Sequence, residues 1–457
     1  LRALAVVAAS ALIPIAVALP QILPTIDLLG VSRRAGGMSF EEVAHWSLHP
    51  MEIAGAAIPW LLGDPTIDAP YLGFFMNDEG GGVQRPPWML ASYAGSLALI
   101  LAAAGAVRHD RAHRRWVIAA CVAGAVALVL ALGRHTPVLG ALLASIPGAS
   151  LFRYPAKIFP VVAVVVPMLA AAGLDALGSA VDRRERALPA AILAAATLVA
   201  AGLAVAAALA PHAARLLAAA RPGVGVEAAT SVLRAALGRE AVSIALIAAV
   251  TWAAWRIRSS IALPVAACGM VLQIAAGNIG VARTMDPGIF MDRPPLADLV
   301  AASAPPGETP RLLQPPDAYA PATAYEHSPE ERARLRTWLL EKNIGILFGI
   351  GYPDAYSSAA RRDRQAFWVS TDDFRKQTLD LYSVRWALVP PGTDVPEGIG
   401  MTPVGGFEGT GLRPFRNDFA LPGCYPVPHA TGAAGPKEAL AAGRSPAVVL
   451  GLAAGIA

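Results

Sequence analysis

The feature that most narrows what this chain can fold into is a recurrence of apolar runs of about 17–25 residues, the length a helix needs to cross roughly 30 Å of hydrocarbon. Seven segments read this way: 1–23, 88–107, 116–133, 158–178, 189–210, 241–255 and 261–281, of which 241–255 is short. Composition agrees. Of 457 residues, 55% are hydrophobic and 15% are charged, and the mean hydropathy is +0.50. Soluble globular domains run at roughly 45–50% apolar and about 25% charged. The expected fold is therefore mainly α, a polytopic transmembrane helical bundle.

The net charge of +4 does not point to nucleic acid, because the cations sit in short loops between spans instead of on one soluble face. Arg108, Arg111, Arg114 and Arg115 crowd one loop; Arg183, Arg184 and Arg186 crowd a second; Arg256 and Arg258 mark a third. The positive-inside rule makes these loops cytoplasmic. The segments 24–87, 134–157 and 211–240 then face outward, as does everything after residue 282.

That tail is a different material. It is rich in proline, lacks a run long enough to span, and reads as an extracytoplasmic α/β domain over 282–457, next to a transmembrane domain over 1–281. "SPEERARLRTWLLEK" (328–342) opens with a Ser cap followed by acids, a helix start. "SVRWALVPPG" (383–392) alternates Val384, Trp386 and Leu388 before a Pro-Pro-Gly stop, a strand pattern, and "GLRPFRNDFALPGCYPV" (411–427) is extended and turn-rich. The Pro-rich piece 286–310 reads as the linker, and no solenoid repeat is present. The chain opens "LRALAVV" without Met and closes within "SPAVVLGLAAGIA", so both ends read as cuts in a longer protein. No cleavage site follows the first run, which argues against a signal peptide. Cys121 and Cys268 fall in spans and Cys424 in the tail, so neither a disulfide nor a cysteine metal site is expected.

Candidate chemistry gathers in the outward loops. In 32–65, Ser39 with Glu41 and Glu42 starts a short helix, and Met51, Ile53, Ile58, Trp60 and Leu61 suggest a second lying at the interface, together a roof over the bundle mouth. This concentrates Arg33, Arg34, Glu41, Glu42, His45, His49, Glu52 and Asp64 at the membrane surface. In "SLFRYPAKIF", Pro155 suits a helix start, and Arg153 and Lys157 at i,i+4 spacing would share one helix face. Two readings of these cations stand side by side. They bind a phosphate or pyrophosphate headgroup, Arg by its fork and Lys as a point charge, or they snorkel to ordinary lipid with Tyr154 in the aromatic belt. Arg134 and His135 in "LGRHTP" add charge on the same side. Asn77, Asp78 and Glu79 offer oxygen ligands for a divalent cation or merely a hairpin tip. Tyr352, Asp354 and Tyr356 offer a sugar-stacking turn or buried aromatics, and Asp175 and Asn278 stand near span ends.

Several of these stretches together resemble the bacterial YfhO-type integral membrane proteins: "ALPQILPTIDLLGVSRRAGGMSF", "ALGRHTPVLGALL", "LFRYPAKIF" and "LRPFRNDFALPGCYPV". The resemblance covers most of the chain. It departs at Lys157, where the family usually has a second Arg. The family is similar to GT-C glycosyltransferases, which implies transfer of a sugar from a polyprenyl-phosphate donor to an envelope glycan, lipid or polymer acceptor outside the bacterial inner membrane. It further implies Arg153, Lys157, Arg134, His135, Tyr154, Arg33 and His45 as substrate-binding residues and Glu41, Glu42 and Asp64 as stand-ins for the base. No metal ligand set is assigned and no cofactor is certain, with a divalent cation left open. In such enzymes the principal acid follows the first membrane helix, outside this chain if amino-terminal helices precede it. Two other functions stay in view. A transporter or flippase of lipid-linked saccharides would show midplane charge pairs and a repeat; a non-catalytic envelope scaffold would tolerate loss of Arg153.

Overall fold

The structure, a computed structural model, describes residues 2–65, 71–73, 87–109, 111, 113–183, 185–220, 224–257, 259–281, 284–314, 328–353, 379–380, 382–389, 395, 400–405 and 412–422, with the side chains at 2–11, 33, 182, 220 and 259–260 excepted. The chain divides into two compact units, Met38–Thr284 on one side and Leu1–Gly37 with Met285–Ala457 on the other. Among the described residues, four helical segments are long and apolar enough to cross a membrane: Leu12–Val31, Arg114–Ala131, Pro155–Val181 and Ala187–Ala208. The chain is thus a membrane protein with a small carboxy-terminal sheet.

Helix α1 (Arg2–Val31) runs on past residue 23 despite Pro14, Pro20 and Pro24, and none of Leu12–Val31 is buried within the protein. An apolar helix with every face open is suited to lipid, not water.

The Met38–Thr284 unit begins with two short helices, α2 (Phe40–Ala44) and α3 (Pro50–Ile53). Each is started by a capping box: Ser39 with Glu42, and His49 with Glu52. Such caps satisfy orphan amides and are worth about 1 kcal/mol each. The bundle follows as α4 (Ser96–Val107), α5 (Arg114–Ala131), α6 (Val138–Ser145), α7 (Pro160–Asp182), α8 (Ala187–Ala208), α9 (Ala210–Ala220), α10 (Val226–Ile257) and α11 (Ser259–Gly277). Its centre is α4 against α7. A Cβ on Gly105 would stand 2.2 Å from the Leu169 carbonyl oxygen, and one on Gly173 would stand 2.0 Å from that of Leu101. Glycine at both positions lets the two backbones touch, the small-residue packing that holds helices together where lipid removes the hydrophobic drive.

Three of the seven expected spans are redrawn, of which 261–281 keeps the apolar helix Ile261–Gly277, shorter than the four above. The run 88–107 becomes helix only from Ser96, because Gly95 at φ +95° turns the chain immediately before it. The resulting 12 residues reach roughly 18 Å. The run 241–255 is the second half of the 32-residue α10, so the expected loop 211–240 is helical in α9 and the first half of α10. Of the Arg-rich loops, two share one end of the unit, where Arg108 Nη2 meets Glu185 Oε2 at 3.5 Å.

In the other unit, α12 (Gly288–Met291), α13 (Pro295–Ala302) and α14 (Pro329–Trp338) accompany a four-stranded sheet. Its order is β1 (Arg311–Leu313), β2 (Val384–Val389), β4 (Arg413–Asn417), β3 (Met401–Pro403). Strand β2 is parallel to β1 and antiparallel to β4. Its residues are buried on both faces, Trp386 and Leu388 among Leu296, Val300, Leu339 and Ile350, and Val384 and Ala387 beside Leu313 and Leu379. Ser328 caps α14 as its sequence announces, with Glu331 closing the box.

Candidate functional site

At the end of the Met38–Thr284 unit where α7 begins, backbone hydrogen bonds stitch the roof segment to the bundle. Leu48 N donates to Ala131 O at 2.8 Å, Tyr154 N to Val43 O at 3.1 Å and Ala156 N to Trp46 O at 3.2 Å. The join is tight at Gly133, where φ is +49° and a Cβ would lie 2.2 Å from Ser47 Oγ. Arg134 is held there too: its amide donates to Ser47 Oγ at 3.0 Å and its Nη2 to Ala44 O at 3.3 Å.

This stitching assembles an aromatic platform. The rings of Trp46, Trp88 and Tyr154 lie 4.7–4.9 Å apart in every pairing, and His45 packs on Trp46 at 4.4 Å and on Tyr154 at 5.6 Å. Both cations named from the sequence use it. The Arg153 guanidinium lies 4.3 Å from the Tyr154 ring centre, and Lys157 Nζ lies 4.7 Å from those of Tyr154 and Trp88. The negative face of each ring attracts the cations without neutralising them. Arg153 Nε is buried and has no hydrogen-bond partner.

The expected geometry is corrected in one respect. Arg153 and Lys157 do not share a helix face: Tyr154 is left-handed at φ +70°, Pro155–Ile158 is a 3-10 turn, and α7 starts only at Pro160. Proline disfavours the right-handed helical region for the residue before it; Tyr154 stands outside that region, and both cations lie against its ring. Trp46 (φ +51°) and Trp60 (φ +56°) are left-handed as well. Such a backbone costs a bulky residue on the order of 1–3 kcal/mol and clusters at functional sites.

His49 and His135 face each other at 5.0 Å. Burial lowers the pKa of both below 6.5, and for His135 the neighbouring His49 and Arg134 lower it further. The structure therefore brings together Arg134, His135, His45, Arg153, Tyr154 and Lys157. Glu41 and Glu42 are exposed on α2, and Glu42 Oε2 accepts the Ser39 amide in the capping box, which makes it a structural residue. Asp64 is half-buried. Arg33 opens a 3-10 turn in the other unit, and its side chain lies outside the described residues, as do Asn77, Asp78, Glu79, Asp354, Tyr356 and Cys424. Tyr352 is an anchor: its hydroxyl donates to Leu340 O at 2.5 Å and receives Gly345 N at 3.0 Å. Asn278 likewise ends α11, donating to Ile274 O at 2.9 Å and Tyr93 O at 3.3 Å, and Asp175 is exposed.

Two carboxylates carry more than the sequence announced. Glu52 is half-buried, with Oε2 accepting the His49 amide at 2.7 Å. Burial raises its pKa above 4.5, opposed by that hydrogen bond. It lines a cleft of about 70 Å³ with Trp60, Tyr71, Ser92 and Tyr93. Glu240, 2% exposed, is enclosed between α4, α10 and α11. Its Oε1 accepts from Tyr93 Oη and Gln273 Nε2, each at 3.0 Å, and from Ser96 Oγ. A helical projection of α10 could have flagged Glu240, since Ala236 and Ile244, four residues to either side, are buried with it. Among the described residues, no group of three or more His, Cys, Asp or Glu could hold a metal ion. No family model matches the chain, and neither a curated protein nor a solved structure matches it.

Proposed function

We propose that this chain is a YfhO-type protein similar to GT-C glycosyltransferases, moving a sugar from a polyprenyl-phosphate donor to an envelope acceptor at the extracytoplasmic face of the bacterial inner membrane. The observation that carries the reading is Arg153 and Lys157 gathered on one aromatic platform at the mouth of α7, with Arg153 Nε buried and unpartnered. A ring attracts a cation but accepts no strong hydrogen bond, so the Arg153 Nε–H keeps its capacity for a phosphate oxygen. Trp46 and Trp88 beside them offer flat apolar faces to a sugar ring. As the bond between the anomeric carbon and the phosphate oxygen breaks, its electron pair stays on the lipid phosphate, where Arg153 and Lys157 stabilise the charge. The Arg108–Glu185 end then faces the cytoplasm.

The test is donor binding and sugar release by the intact protein in nanodiscs, with a panel of polyprenyl-phosphate and polyprenyl-diphosphate sugars. Arg153→Ala is expected to weaken donor binding at least tenfold while the thermal midpoint stays within a few degrees. Undiminished binding by the folded variant would leave both cations as snorkelling side chains and remove the reading.

A further inference from the structure

The transferase reading leaves the acceptor without a place and the reaction without a base, since Glu41 and Glu42 stand exposed on α2; Glu52 closes a helix cap as Glu42 does, but it is half-buried and lines a cleft. The Glu52 cleft answers both needs. It lies beside the platform on two shared pieces of chain. Trp88 stands under Lys157 while its neighbours Pro87 and Met89 line the cleft, and the α3 turn sets His49 against His135 while presenting Glu52 to the cleft. Among the described lining residues Glu52 is the one acid, and the rest is apolar apart from the hydroxyls of Tyr71, Ser92 and Tyr93 and the Trp60 indole. That lining repels an anion and gives a metal ion too few ligands; it suits a neutral ring with hydroxyl groups, with aromatic faces for its C–H side and a carboxylate for an O–H.

The wall is built to stay in place. Trp60 holds a left-handed backbone. Gly55 is a glycine because a Cβ there would approach Ser92 Oγ to 2.7 Å. Tyr93 is fastened from below by Glu240, and Gly277 makes room for its ring, which a Cβ would meet at 2.3 Å.

We propose that this cleft is the acceptor subsite, taking a neutral saccharide, and that Glu52 is its general base. This rests on the transferase reading for its chemistry, though not for its binding. The acceptor oxygen forms the new bond to the anomeric carbon of the donor sugar, and the bond from that carbon to the phosphate breaks with its electrons left on the lipid phosphate. The acceptor proton passes to the Glu52 carboxylate and from there to water.

The experiment has two parts, both on the intact protein in nanodiscs. The first titrates a panel of soluble neutral oligosaccharides, read by tryptophan fluorescence, into wild type, Trp60→Phe, Glu52→Gln and, as a control at the far end of the unit, Arg108→Ala. Saturable quenching in wild type and Arg108→Ala, weakened at least fivefold in Glu52→Gln and reduced in amplitude in Trp60→Phe, is expected. Gln also closes a capping box, so Glu52→Gln keeps α3. No saturable response in wild type overturns the subsite, whatever the donor does. The second part follows transfer from the donor panel. Glu52→Gln is expected to bind donor as wild type does, to transfer at least 100-fold more slowly, and to lose the acid limb of the pH–rate profile, with Glu52→Asp restoring part of both. Transfer by Glu52→Gln at the wild-type rate overturns the base. Oligosaccharide binding with no donor binding would instead remove the transferase reading and leave the cleft as a saccharide site.

Discussion

Arginines collect at both ends of the Met38–Thr284 unit, and the two ends hold them differently. At one, Arg108 and Arg183 meet Glu185 at 3.5 and 3.9 Å with side chains 58% and 65% exposed. Such pairs are worth little, and water or lipid phosphate could replace the partner. At the other, Arg153 is pinned against Tyr154 by a backbone turned left-handed, its Nε is buried, and Lys157 closes on the same ring. The contrast separates a charge that merely belongs at a membrane surface from one that has been positioned. Backbone strain and burial at the mouth of α7 are costs that snorkelling alone does not require.

The comparison breaks most completely if the bundle that fixes both ends is broken. Gly173→Val would drive side-chain atoms into the Leu101 carbonyl. It is expected to cost about 4 kcal/mol or more, or to leave no folded protein, read by yield and monodispersity in detergent. Next is Glu240→Ala, which leaves the donors of Tyr93, Ser96 and Gln273 without their shared acceptor. A loss of about 2–3 kcal/mol in thermal or chemical unfolding is expected, with Glu240→Gln losing less. A silent Glu240→Ala would mean that the mouth does not depend on the polar cluster beneath Tyr93.

A smaller effect distinguishes the ends by pH. His49 and His135 have folded-state pKa values below 6.5, so the unfolded chain binds their protons first. Their stabilisation is complete above pH 6.5 and falls as the pH drops from there through the folded values. Glu52 has the opposite sign: raised above 4.5, its contribution is complete below 4.5 and is lost as the pH rises through the folded value. Melting from about pH 7.5 to 4.5 should therefore lower the midpoint of wild type by a few degrees, less in His135→Gln and more in Glu52→Gln. Identical slopes in the three proteins would contradict the placement of these groups. The smallest effect is expected at the exposed end, where Arg183→Ala should change stability by less than about 0.5 kcal/mol.

Much of the bundle was legible because a bilayer-length apolar run has few other folds open to it. The capping boxes at Ser39 and Ser328 were legible as well, being local hydrogen-bond patterns that need no tertiary partner. What misled was anything set by a single backbone angle or by a distant partner. Gly95 shortened α4, and Tyr154 turned left-handed and replaced the helix face expected for Arg153 and Lys157 with a shared ring. Trp46 and Trp88 were not read as part of the site, since they join it through contacts to Tyr154 across 108 and 66 residues of chain. Glu240 lay hidden in a segment that reads as loop until Tyr93, Ser96 and Gln273 are placed around it.

The most direct test of the claim that the mouth of α7 is built for a lipid phosphate is native mass spectrometry of the intact protein with polyprenyl phosphate, comparing wild type, Arg153→Ala/Lys157→Ala and Arg108→Ala/Arg183→Ala. The account predicts that only the first pair of substitutions removes bound lipid, weakening it at least tenfold while the second pair leaves it within twofold of wild type. Equal loss from both pairs, or from neither, would contradict it, because the two ends would then hold their arginines for the same purpose.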